Sequence, residues 1–125
     1  MFNSLEIAQL CAEGAESKKA FDILILDIRE YTVIADYFVI CSGSNTTQVN
    51  AIADSIAHTL AKAGIHYSHV EGATAASWVL IDFGDVVVHV FEEQTRTYYS
   101  LEKLWGDAPR IPVAVRPREL LGAAS

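Results

Sequence analysis

The chain has 125 residues and a mass of 13.7 kDa, the size of one domain with one core; 51% hydrophobic and 20% charged residues exclude a disordered polymer, and no apolar run is long enough to cross a bilayer. The formal charge is −7; of 9 basic and 16 acidic residues, three arginines and one glutamate (Arg110, Arg116, Arg118, Glu119) follow Pro109, leaving 6 and 15 before it, a net −9. A body so acidic repels a phosphate backbone, which speaks against specific nucleic-acid binding, and suits a basic protein partner.

The N-terminus carries acids where a targeting peptide carries bases, so a cytoplasmic chain without a leader is expected. Residues 4–18 read as a helix: Leu5, Ala8, Cys11, Ala12 and Ala15 fall at helical spacing, and Asn3 with Glu6 forms a capping box. Ile23–Ile28 and Tyr37–Cys41 are continuous apolar runs, as in strands covered on both faces, with a hairpin-like link over Arg29–Asp36. Cys11 and Cys41 lie far apart in such apolar stretches and read as reduced core thiols.

Ser42-Gly43-Ser44-Asn45 turns the chain into a second helix, whose stripe is Val49, Ile52, Ala53, Ile56, Ala57 and Leu60. Asn45 with Gln48 caps its start and Gly64 stops it. Residues 65–77 read mostly as loop. Trp78–Phe83 and Val86–Phe91 then form a hairpin about Gly84-Asp85. That turn puts Phe83, Ile81, Val79, Val86, Val88 and Val90 on one face, the core. Trp78, Leu80, Asp82, Val87, His89 and Phe91 share the other, which is either a binding surface or a face covered by a helix. Glu92–Trp105 reads as helical or turn-like, and prolines at 109, 112 and 117 space out an extended or partly disordered tail at 110–125, leaving 1–109 as the domain. The order α-β-β-α-β-β-α gives a single-domain α/β fold with a mixed β-sheet flanked by helices.

Few motifs promise chemistry. Asp82-Phe83-Gly84 matches the magnesium-binding tripeptide of protein kinases, but the chain is too short for a kinase and lacks its other loops. The Ser42–Asn45 turn at a helix N-terminus suits an anion, and a nucleotide-binding or nucleotidyltransferase-like enzyme is the alternative function. Its carboxylates would have to be Asp82 and Asp85, which are not paired on one strand face. His58, His66 and His69 have no cysteine near enough in sequence to complete a zinc set. Neither catalytic residues, a metal nor a cofactor is expected. The better candidates are interface residues: Trp78, Asp82 and His89 on the hairpin, with Arg96, Tyr99, Glu102 and Trp105 after it. Aromatic and arginine side chains are the usual anchors of protein interfaces.

Several blocks also resemble one family. Leu26-Asp27-Ile28-Arg29 and Ala35–Ser44 are similar to the opening motifs of the Iojap, or ribosomal silencing factor S, family. Glu71-Gly72 with Trp78–Phe91 resembles its central block, and Arg96, Tyr99, Leu101–Trp105 and Asp107-Ala108-Pro109 its closing one. The resemblance implies a nucleotidyltransferase-like fold without the catalytic carboxylates. It further implies a homodimer that binds the large ribosomal subunit at its fourteenth protein, blocks joining of the small subunit and represses translation when nutrients are short.

Overall fold

The computed structural model describes residues 1–114. In chain order it contains α1 (Ser4–Glu16), β1 (Phe21–Asp27), β2 (Tyr37–Gly43), α2 (Thr46–Lys62), β3 (His69–Glu71), β4 (Trp78–Asp82), β5 (Val86–Glu92), α3 (Glu93–Tyr99), α4 (Leu101–Leu104) and β6 (Arg110–Ile111). The strands form one mixed sheet in the order β3-β4-β5-β2-β1-β6. Its centre is the parallel pair β2 and β5, from Tyr37 opposite Val86 to Gly43 opposite Glu92. The other neighbours are antiparallel. Every residue of β2 is buried, which is why its apolar run does not alternate.

The helices form as their caps dictate. Asn3 accepts from the Glu6 amide while the Glu6 side chain accepts from the Asn3 amide, the reciprocal pair expected at the start of α1. At α2, Asn45 accepts from the Gln48 amide at 2.8 Å, and Gly64 at φ +82 follows its end. The hairpin register is the expected one, from Trp78 opposite Phe91 to Asp82 opposite Val87. Phe83 donates its amide to the Val86 carbonyl and closes the turn.

The alternation of β4 and β5 sorts side chains into two cores. Val79, Ile81, Val86, Val88 and Val90 pack against Ala8, Cys11, Ala12 and Ala15 of α1 and Val49, Ile52, Ile56 and Leu60 of α2. The two helices approach closely: a Cβ on Gly14 would lie 2.9 Å from the Ile56 Cα. On the opposite face, Leu26, Ile28, Phe38, Ile40, Val87, Phe91 and Ala108 make a smaller core, roofed partly by Leu101 and Trp105.

Three features depart from the expectation. The loop expected over 65–77 contains β3, three residues pairing with β4 from His69 opposite Asp82 to Glu71 opposite Leu80. A strand this short has no periodicity to read. Secondly, Arg110 and Ile111, expected in the tail, pair with Leu26 and Ile25 of β1. The remaining tail expectation, for 115–125, lies outside the described residues. Thirdly, β1 begins earlier than expected and is irregular. Phe21 faces Ser42 but Leu24 faces Ile40, with Asp22 at φ +51 between them. Two residues where the partner has one make a bulge, and it turns the Asp22 carbonyl outward.

Candidate functional site

The second face of the sheet is where aromatic side chains gather. Trp78, half-buried on β4, lies 4.7 Å from the Phe91 ring and 5.0 Å from Tyr99 on α3. Tyr99 meets Tyr98 edge-on at 5.0 Å. Across the face, Phe38 packs edge-to-face on His89 at 4.8 Å and on Trp105 at 5.5 Å, and Tyr31 meets Trp105 at 6.5 Å. Tyr31 is pinned by donating its hydroxyl to the Asp107 carbonyl at 2.8 Å. Phe91 at the base is fully buried, whereas the rim is open: Tyr98 is 82%, Tyr99 54% and Leu104 76% exposed. A buried aromatic floor with an exposed aromatic and aliphatic rim makes this face the candidate docking surface.

His89 belongs to the floor. It is buried, and its Nδ1 accepts from Trp78 Nε1 at 3.1 Å, so the proton of the neutral ring sits on Nε2, which has no partner. Burial pushes its pKa from the ordinary 6.5 down to about 4. The unfolded chain therefore binds the extra proton between these values. The stability that neutral His89 contributes is fully present above pH 6.5 and is lost as pH falls through about 4, up to ~3 kcal/mol in all. Urea unfolding is expected to show a steeper loss of stability from pH 7 to pH 4.5 in wild type than in His89→Gln; parallel curves would contradict the placement.

Arg96 and Glu102 form a half-buried clamp. Arg96 Nε donates to Glu102 Oε1 at 3.1 Å, while one terminal nitrogen donates to the Asp22 carbonyl at 2.6 Å and to the Ser42 hydroxyl at 2.9 Å. The β1 bulge presents that carbonyl, and the end of β2 presents the hydroxyl. The arginine thus ties α3 and the start of α4 to the sheet. Glu92 caps α3 by accepting from the Gln94 and Thr95 amides.

Of the seven expected interface residues, Trp78, His89 and Tyr99 meet directly, and Trp105 joins them through Phe38. His89 is 4% exposed, so it supports the face from beneath. Arg96 and Glu102 are occupied with each other. Asp82 stands apart, at the other end of β4 from Trp78, roughly 13 Å along the strand, where its Oδ1 accepts from the Gly84 amide in the hairpin turn. Leu80 lies on the face as expected, packed on the second core, whereas sequence reasoning missed Tyr31 as part of it. That reasoning also missed Val33 and Ile34, 103% and 74% exposed in the link between β1 and β2. Two adjacent branched residues in a short connector were the available signal.

The Ser42–Asn45 turn is not assembled with the carboxylates an enzyme would need. β2 and β5 are parallel, and Asp85 accepts from the Asp36 and Tyr37 amides at the start of β2. The turn leaves β2 at its far end, about 20 Å away at the rise of a strand. The Ser44 amide, one of the donors an anion would use, already donates to Gln48 Oε1 at 2.6 Å. Among the described residues no group of His, Cys, Asp and Glu is arranged to hold a metal, and no helix is long and apolar enough to cross a membrane.

The family model described as "Ribosomal silencing factor during starvation" matches residues 2–123. The chain belongs to this family. It is 49% identical over 107 residues to ribosomal silencing factor RsfS of Bacillus subtilis, covering 86% of this chain and 91% of that protein. It is 35% identical to chloroplastic protein Iojap of Zea mays, covering 86% of this chain and 46% of that one. It is 36% identical to a mouse protein named mitochondrial assembly of ribosomal large subunit protein 1, covering 70% of this chain and 40% of that one. A crystal structure of a Chromobacterium violaceum protein superposes with a TM-score of 0.83 at 36% identity, covering 92% of this chain and 95% of that one. The single-domain α/β fold with a mixed sheet is therefore shared with the family's solved members.

Proposed function

We propose that the chain is a ribosomal silencing factor that binds the large ribosomal subunit at its fourteenth protein, blocks joining of the small subunit and represses translation under nutrient limitation. The observation that carries this reading is the family match, which spans almost the whole chain. The geometry supports it as a docking module. Trp78, Tyr99 and Trp105 are the anchors, with His89 holding the Trp78 indole and the Arg96–Glu102 clamp holding the segment that bears Tyr99 and Trp105. Asp82 extends the contact toward the hairpin turn. The acidic body, 6 basic against 15 acidic residues before Arg110, draws in a basic ribosomal protein. The chain acts in the cytoplasm as a homodimer, and it works by occupying a surface, with no chemistry of its own. A contact of this kind buries about 1,200–2,000 Å².

Sedimentation tests the reading. The purified chain is expected to travel with isolated large subunits through a sucrose gradient and to stay at the top with small subunits alone. A chain that stays at the top with both, at low salt, would contradict it.

A further inference from the structure

Glu71-Gly72, at the end of β3, has no part in the anchors, yet the sheet register sets it beside them. Glu71 lies opposite Leu80, and Leu80 lies opposite His89. Directly opposed residues point to the same side of a sheet, so the Glu71 side chain stands on the aromatic face. Trp78, two residues before Leu80, shares that face. Glu71, Gly72, Trp78 and Leu80 together line a cleft of about 300 Å³.

Gly72, at φ +85, passes so near β4 that a Cβ there would run into the Trp78 carbonyl. The chain therefore crosses at this point without a side chain and holds the end of β3 against Trp78. The Ala76 amide closes the following turn on the Gly72 carbonyl at 2.8 Å. Trp78 is fixed by its Nε1 bond to His89 and by the Phe91 ring, and with Leu80, also half-buried, it gives the cleft an apolar floor. The Glu71 carboxylate stands over that floor, its side chain 66% exposed, with one oxygen bonded to His69 Nε2 at 2.9 Å. Among the described residues the other oxygen has no partner, and no lysine or arginine lines the cleft.

We propose that this cleft takes one lysine or arginine side chain of the protein that binds the aromatic face; it rests on the docking proposed for that face. A cationic side chain is an apolar stem with a charged tip, and the cleft is an apolar floor with a carboxylate above it. The stem lies on Trp78 and Leu80, and the tip meets Glu71. A body with 6 basic against 15 acidic residues before Arg110 draws in a basic surface, which has such side chains to offer. The carboxylate also turns away competitors. A phosphate or an acidic side chain meets like charge, and an uncharged one covers the carboxylate without pairing it. Trp78 supplies affinity, and Glu71 selects a cation.

Equilibrium binding to isolated large subunits, measured over a series of salt concentrations, tests this with three variants. Glu71→Gln keeps the shape of the side chain and removes its charge. It is expected to weaken binding roughly tenfold at low salt, with affinity falling less steeply as salt rises than in wild type. Glu71→Lys is expected to weaken binding further. Tyr99→Ala, which does not line the cleft, is expected to lose affinity and keep the wild-type dependence on salt. If Tyr99→Ala is weakened while Glu71→Gln binds as wild type does, the cleft holds no cation, and the proposal falls with the docking face intact. Tighter binding by Glu71→Gln would put a phosphate or a carboxylate against Glu71 and overturn it too. If wild type itself does not bind, the docking reading fails and the cleft assignment fails with it.

Discussion

Trp78→Ala is expected to weaken binding to large subunits by about two orders of magnitude, while the chain stays folded. Central aromatic anchors typically account for ~2–4 kcal/mol of an interface, and Trp78 touches both the buried floor, at Phe91 and His89, and the exposed rim, at Tyr99. Removing it unroofs Phe91 and leaves His89 Nδ1 without its donor, so some stability is lost as well. Tyr99→Ala separates the two effects, since Tyr99 is more than half exposed and contributes little to the core. Equilibrium binding of both variants to isolated subunits, with folding checked by circular dichroism, is the measurement. Wild-type affinity in both would move the site off this face.

Arg96→Ala is expected to cost ~2–4 kcal/mol of stability, the second large effect. The substitution leaves Glu102 with neither carboxylate oxygen bonded, since Oε2 already lacks a partner, and it strips a donor from the Asp22 carbonyl. An uncompensated charge at a site where the two side chains are only 11% and 23% exposed is expensive. Adding Glu102→Gln is expected to recover part of the loss, because a neutral amide tolerates burial better than an unpaired carboxylate. Arg96→Lys is not expected to rescue it, as one ammonium cannot reproduce the fork that spans three acceptors. Urea unfolding of the single and double variants measures this coupling. An Arg96→Ala chain as stable as wild type but weakened in binding would make the arginine a direct contact instead.

The central fold was legible because its signals are local and strong. The capping residues Asn3 and Asn45, the stripe from Val49 to Leu60 and the two-residue turn at Gly84-Asp85 each specify an element without help from distant residues. The turn fixes the hairpin register, and the register sorts Val79 and Ile81 from Trp78 and Leu80. What was not legible depends on distant partners. Nothing in His69–Glu71 or Arg110–Ile111 announces a strand, because two or three residues become one only beside β4 or β1. The bulge at Asp22 is likewise invisible in sequence, and it is what gives Arg96 a carbonyl to hold. So Arg96 and Glu102 were recognisable as candidate residues while their mutual bond was not. His89 was placed on the correct face, but its depth depends on Phe38 and Trp78 closing over it. Tyr31 joins the face through Trp105 and Asp107, far along the chain.

The proposed silencing, by occupation of the large subunit, is tested most directly by subunit joining followed by light scattering. Large subunits incubated with the chain and then mixed with small subunits are expected to join to a smaller extent, in proportion to the chain added, and Trp78→Ala is expected to restore joining. Joining that proceeds to the same extent with and without saturating wild-type chain would contradict the account.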